Sequence, residues 1–211
     1  TVNVPDNFFT QVAGVHEKDT SNKKSTFTVD YPETDLLFYK DFYQNDFEAE
    51  VLGLVEKDGD KCLIFDKTTF YPEGGGQPSD VGEVSIDGTA FKISHAEKVN
   101  NVVLHHVDGD IKEDVVGKKA VGEIDWTRRI TLARHHTGTH LVIAAARKVL
   151  GQHIRQAGSQ NGLTRARIYL SHYKRITHEE LNEIEKLANK YVMENIDLDI
   201  QFHTRDEAQE L

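Results

Sequence analysis

Around Asp125 the periodicity of the chain changes from two to 3.6, and this switch limits the fold more than any other feature of the sequence. Before it, apolar residues alternate with polar ones in short runs separated by turn dipeptides. Phe47–Val55 is one such run, and it is followed by a hairpin turn at Asp58 and Gly59 and then by Cys62–Phe65. Gly82–Ile86, the turn at Asp87 and Gly88, Ala90–Ile93, Val102–Val107, the turn at Asp108 and Gly109, and Ala120–Asp125 continue the series. Many short strands at such spacing predict a small β-barrel. After Asp125, Ile130, Ala133, Thr137, Leu141, Ala144, Ala145 and Val149 recur at helical spacing. Asp125 or Thr127 can cap the start of this helix and Gly151 can sit past its end.

Beyond that helix, residues 152–158 and 165–171 read as paired strands, with Asn161 and Gly162 in their connection. Thr177 and Glu180 match a capping box for a second helix reaching Glu194, with Leu181, Ile184, Leu187 and Tyr191 on its apolar face. Asp197–Phe202 reads as a strand, and Arg205–Leu211 as the start of a further helix. The expected class is α+β: a lead-in or linker over 1–34, a β-barrel with a glycine-rich loop over 35–125, and helices packed on an antiparallel sheet over 126–211.

The charge divides at the same point. Residues 1–125 hold 12 Lys and no Arg against 25 Asp and Glu, whereas 126–175 hold ten Lys or Arg and no acid. A formal net charge of -10 spread evenly would argue against nucleic acid. A basic block without acids instead reads either as a solvated face that offsets the acidic part or as a phosphate-binding surface. No run of 18 apolar residues exists, so no helix is expected to span a bilayer. The single cysteine, Cys62, excludes a disulfide framework and reads as a small buried apolar side chain, in keeping with a reducing cytoplasm. The chain starts at Thr1 without Met or a signal peptide, as expected of a piece of a longer or processed protein.

Three motifs could carry chemistry. His136 and His140, four apart on a helix, lie on one face and can share a metal ion through their ring nitrogens. The same spacing also describes an ordinary partly buried pair. Thr137 stands where a metalloprotease would need its glutamate, which disfavours peptide hydrolysis. His105, His106, His153, His172 and His203 are further ligands only if the fold brings them near. The second motif, Thr68–Asp80, carries Gly74, Gly75, Gly76 and Gln77. It is either a tight barrel turn or a loop closing over a site, with Gln77 and Asp80 offering polar groups. The third, Gln152–Gln160, holds Gln156 and Ser159. It is either a polar strand end or a pair of hydrogen-bonding groups beside the histidine-bearing helix.

Together, in this order and spacing, the motifs resemble the editing region of alanyl-tRNA synthetases of the archaeal type and the related free-standing editing proteins. The resemblance rests on Phe70–Pro78, Arg134–Leu141, Gly151–Ser159 and Ala166–His172 and covers about residues 35–211. It implies hydrolysis of tRNA(Ala) mischarged with serine or glycine, within a parent enzyme that is an ATP-binding alanine–tRNA ligase. It implies zinc held by His136 and His140 with a Cys and a His further along, beyond Leu211, so that two of four ligands are present. Thr139, Gln156 and Ser159 match residues lining the family's editing pocket. Arg128, Arg129, Arg134, Arg155 and Arg167 are the basic residues expected to meet acceptor-stem phosphates. The expected partners are mischarged tRNA(Ala) and the remainder of the synthetase. The alternatives are a free-standing editing protein of the same activity and a non-catalytic tRNA-binding module.

Overall fold

The computed structural model describes residues 27–197 together with Gln201, His203, Thr204 and Glu207. The expected strand from Asp197 and the helix start from Arg205 fall almost wholly outside those residues, as does the polar stretch 17–25. The chain forms two compact units. One runs to Phe70 and resumes over Gly82–Glu123, and the other joins Tyr71–Val81 to the chain from Ile124 on. The class is α+β. Among the described residues no helix is long and apolar enough to cross a membrane.

The first unit is a closed six-stranded barrel. In chain order its strands are β2 (Asp46–Lys57), β3 (Asp60–Phe65), β5 (Gly82–Ile86), β6 (Thr89–Val99), β7 (Val102–Asp108) and β8 (Lys119–Ile124). Around the barrel they follow β2-β3-β7-β6-β5-β8, while β1 (Asp35–Leu36) and β4 (Lys67–Thr68) form a separate short parallel pair. The Asp58–Gly59 turn adopts φ of 54° and 92°, and Asp87–Gly88 adopts 51° and 78°. This left-handed pair matches the twist of the strands it joins. Cys62, Leu63, Ile64 and Phe65 are all buried, so β3 is covered on both faces. Its outer cover includes Phe27, Val29 and Tyr31, which pack on a cluster of Cys62, Ile64, Val99, Val102 and Leu104. Residues 27–31, expected to be linker, are therefore part of the barrel's packing. Burial, followed by the nearby Glu97 and Asp60, pushes the Cys62 thiol up to about 12, which suits an inert core side chain.

The second unit is built on α1 (Trp126–Leu150), the hairpin β9 (Arg155–Asn161) and β10 (Ala166–Ser171), and α2 (His178–Met193). Asp125, not Thr127, caps α1, its carboxylate accepting the Arg128 N–H at 2.9 Å. Gly151, at φ 115°, closes the other end through its N–H to Arg147 O. The capping box of α2 is present: Thr177 Oγ1 accepts from Glu180 N–H at 3.2 Å, and Glu180 Oε2 accepts from Thr177 N–H at 2.9 Å.

The buried face of α1 differs from the expected one. Arg129, Leu132, Thr139, Ile143, Ala145 and Ala146 are buried, while Thr137 and Ala144 are exposed. The C-terminal half packs apolar residues with Ile154 and Ile184. Toward the N-terminus the helix buries the polar Arg129 and Thr139 alongside Leu132, and a count of apolar spacing cannot detect those two.

Candidate active site

The site lies within the second unit, where the glycine-rich loop Tyr71–Val81 and strand β9 border α1. The loop folds on itself: Gly74 N–H donates to Gln77 O at 3.1 Å and Gln77 N–H donates to Gly74 O at 2.9 Å. Two of its glycines are required on two counts. Gly75 and Gly76 take φ of 60° and 77°. A Cβ at Gly75 would lie 3.1 Å from His136 Cε1, and one at Gly76 would lie 2.6 Å from both the carbonyl and hydroxyl oxygens of Ser159. The loop thus approaches both other motifs as closely as backbone allows.

The loop also orients a histidine. His136 Nδ1 lies 2.9 Å from Gln77 Oε1, and Gln77 is itself buried. Only the ring can donate in this bond, so Nδ1 carries the proton and Nε2 keeps its lone pair. His140 stacks on His136, ring centroids 5.2 Å apart and planes 21° apart. Burial first, and then the neighbouring His140, hold the His136 pKa below its ordinary value, which favours neutral imidazole. A neutral ring with its second nitrogen anchored is the usual state of a metal-ligating histidine. His136 is thus set as a metal-ligating histidine would be, and His140 is the neighbouring residue that could join it on a zinc ion. Among the described residues no group of three or more His, Cys, Asp or Glu side chains is arranged around a metal position. Of the other candidates, His105 and His106 belong to the barrel, His153 pairs with His172, and His203 bonds Gln201.

Thr139 and the β9 residues complete the setting. Thr139 Oγ1 lies 2.9 Å from His135 O and 3.0 Å from the side-chain amide of Asn161. A hydroxyl has one proton and cannot donate to both. Both contacts are satisfied if the hydroxyl donates to His135 O while Asn161 turns its NH2 toward Thr139. One lone pair of Thr139 is then left to accept from a ligand. Asn161 is fully buried and its N–H donates to Gly76 O at 2.8 Å, so it ties Thr139 to the loop. The sequence placed Asn161 in a connection, yet it lies in β9 opposite Ala166. Gln156 Nε2 donates to Ser159 Oγ at 3.0 Å, and Ser159 Oγ reaches Gly75 O at 3.4 Å. His135, pointing away from His136, sets Nδ1 2.6 Å from Gly162 O at the hairpin's end.

The arginines separate into different roles. Arg129, expected at a phosphate, is only 2% exposed and forms a buried ion pair with Asp80, with Nε donating to Oδ2 at 2.8 Å. Its guanidinium is committed inside the unit, which corrects that expectation. Asp80 is likewise no open polar group, because it also accepts from Tyr71 N–H at 2.8 Å. Arg128 donates from Nε to Ser79 O. These contacts fasten the loop to the first turn of α1. Arg134 and Arg167 line one open cavity of about 240 Å³ with His135, Gly138, Thr139 and Ala166. Arg155 instead donates to the carbonyls of Gln152 and Ile154.

A sequence model of the family described as tRNA synthetases class II (A) matches residues 5–128. The alanine–tRNA ligase of Methanobrevibacter smithii is 74% identical over 212 residues, covering all of this chain and 24% of that protein. Those of Methanosphaera stadtmanae and Thermococcus kodakarensis are 50% and 44% identical, covering 98% and 99% of this chain and 23% of each relative. The chain thus spans about a quarter of the length of the curated relatives it matches.

Proposed function

Because the chain belongs to the class II (A) tRNA synthetase family, we propose that it is the editing region of an alanine–tRNA ligase, hydrolysing seryl- or glycyl-tRNA(Ala). The observation that carries this reading is the single constellation in the second unit: Gln77 holding His136, Asn161 holding Thr139, and Ser159 beside Gly75.

The need for editing follows from size. A pocket built for a methyl side chain cannot strongly reject glycine or an added hydroxyl, so charging errors need a second site. Discrimination of seryl from alanyl esters can rest on Thr139. A serine hydroxyl donates to its spare lone pair, whereas the methyl of a correct alanyl ester leaves that lone pair unmatched. In the reaction a water oxygen adds to the ester carbonyl, and the bond to the ribose oxygen breaks. That oxygen leaves with a proton and the free amino acid is released. His136 and His140 would hold zinc, which when bound supplies Lewis-acid polarisation. The chain's own contribution is placement. Gln77 keeps the His136 proton on Nδ1, and the glycine loop excludes bulk water from the ester. Arg134 and Arg167 supply positive charge at the cavity for tRNA phosphate.

Deacylation of seryl-tRNA(Ala) with added zinc, with alanyl-tRNA(Ala) as the control, tests this directly. His136→Ala is expected to lower the rate by about a hundredfold or more. Equal rates for His136→Ala and the unaltered protein would sink the reading. RNA binding without any deacylation would point to a non-catalytic tRNA-binding module.

A further inference from the structure

A second histidine pair sits at the opposite end of the β9–β10 hairpin from its connection, and the site above does not use it. His153 precedes β9 and His172 follows β10. His153 Nε2 lies 2.8 Å from His172 Nδ1, and the rings stack with centroids 5.0 Å and planes 21° apart. Tyr173 rests on both, with centroids 5.2 Å from His153 and 4.7 Å from His172, and is 79% exposed. At Gly151 a Cβ would lie 3.0 Å from His153 Nδ1, so that ring sits close against the helix end.

The chemistry of this cluster is restrictive. One of the two facing nitrogens donates and the other accepts, so each ring is held by the other. Tyr173 presents the flat π surface of the cluster to solvent. His172 Nε2 is buried and finds no hydrogen-bond partner among the described residues. Cations flank the cluster in sequence: Arg155 lies two residues past His153, and Lys174 and Arg175 follow Tyr173. Lys174 pairs with Glu180 at 2.9 Å, and Glu180 also completes the cap of α2. Between 126 and 175 the sequence has no carboxylate side chain.

Exposed aromatic faces beside cations match an unstacked nucleobase with its phosphate. An acidic peptide would satisfy the cations but leave the rings without a planar partner. We infer that His153, His172 and Tyr173 form a stacking platform for an unpaired base of single-stranded RNA. The inference rests on the proposed function only in taking RNA as the ligand.

The test uses the 211-residue protein and fluorescence anisotropy at several salt concentrations. The probes are a short unpaired oligoribonucleotide, a blunt RNA duplex of equal length, and polyglutamate. Tyr173→Ala is expected to weaken the unpaired probe about 5- to 100-fold, as loss of one stacked base does. The salt slope and the duplex affinity stay unchanged, since no phosphate contact is removed. Tyr173→Phe binds as the unaltered protein does, and the melting temperatures of all three proteins coincide. The inference is overturned if Tyr173→Ala binds the unpaired probe normally, or loses both RNAs equally. It is also overturned if polyglutamate competes as well as RNA does, or if the unaltered protein does not bind the unpaired probe. Failure of the platform with seryl-tRNA(Ala) deacylation retained removes this inference alone. A working platform without deacylation removes the editing reading alone.

Discussion

The two units bury polar side chains by opposite means. In the barrel, His105 is fully buried and neutral: Nδ1 donates to Leu63 O at 3.1 Å and Nε2 accepts from Thr68 Oγ1 at 2.9 Å. Thr68 in turn accepts the Phe70 N–H at 3.1 Å, and the rings of Phe65 and Phe70 enclose the imidazole at 4.7 and 5.4 Å. Every hydrogen-bonding atom of that histidine is used. In the second unit His136 is only half-buried and uses one nitrogen, while the loop that orients it is fastened by the buried Asp80–Arg129 charge pair. One residue type thus serves as structure where both nitrogens are satisfied, and as a candidate ligand where one is left over. The sequence motif alone does not separate these cases; the partners do.

The largest expected effect tests the charge pair. Replacing Arg129 with Met leaves the Asp80 carboxylate buried without its countercharge, which costs about 3–5 kcal/mol. The double change Arg129→Met with Asp80→Leu removes both charges and is expected to recover most of that loss. Urea denaturation of the three proteins measures it. An Arg129→Met loss below about 1 kcal/mol would mean that the loop is not held by this pair, and the contrast with the barrel would collapse.

The second effect belongs to the barrel. Burial above all lowers the His105 pKa from 6.5 to about 4. Between those values the unfolded chain binds the proton and the folded one does not, so stability rises with pH across this window. The contribution is fully present above pH 6.5 and is lost as pH falls toward 4, by about 3 kcal/mol. Unfolding free energy at a series of pH values, compared with His105→Gln, isolates it. If the two proteins show parallel pH profiles, His105 is not the silent neutral group described here.

What could be read from the sequence was local. The Asp58–Gly59 turn, the Thr177–Glu180 capping box and the Gly151 helix end each depend on residues within a few positions, and each appears as expected. The buried face of α1 could not be read, because its N-terminal half turns Arg129 and Thr139 inward toward partners 49 and 22 residues away. Arg129 looked like one more cation in a basic block, since nothing near it in sequence names Asp80 as its partner. Asn161 was hidden by its neighbour: an Asn-Gly pair reads as a turn, yet the asparagine is the last residue of β9 and the glycine alone begins the connection. The glycine loop could be recognised as a special conformation. That it belongs to the helix unit, although barrel strands flank it in sequence, is set by long-range contacts.

The smallest effect sharpens the comparison most. Gly75 in the site loop and Gly59 in the barrel hairpin both have positive φ, 60° and 92°. An alanine at either position meets backbone strain of about 1–2 kcal/mol. The surroundings differ. A Cβ at Gly59 has no described atom within 4 Å, whereas one at Gly75 meets His136 Cε1 at 3.1 Å and Nε2 at 3.5 Å. Gly59→Ala and Gly75→Ala should therefore lower stability by similar, modest amounts in the same denaturation assay. Their effects on seryl-tRNA(Ala) deacylation should separate, because only Gly75→Ala pushes the His136 ring off its bond to Gln77. A displacement of a few tenths of an ångström is enough to lower the rate about tenfold or more, given how steeply rate depends on the placement of reacting groups. If both variants keep full activity per folded molecule, the close approach of loop to ring is packing alone, and His136 joins His105 as a structural histidine.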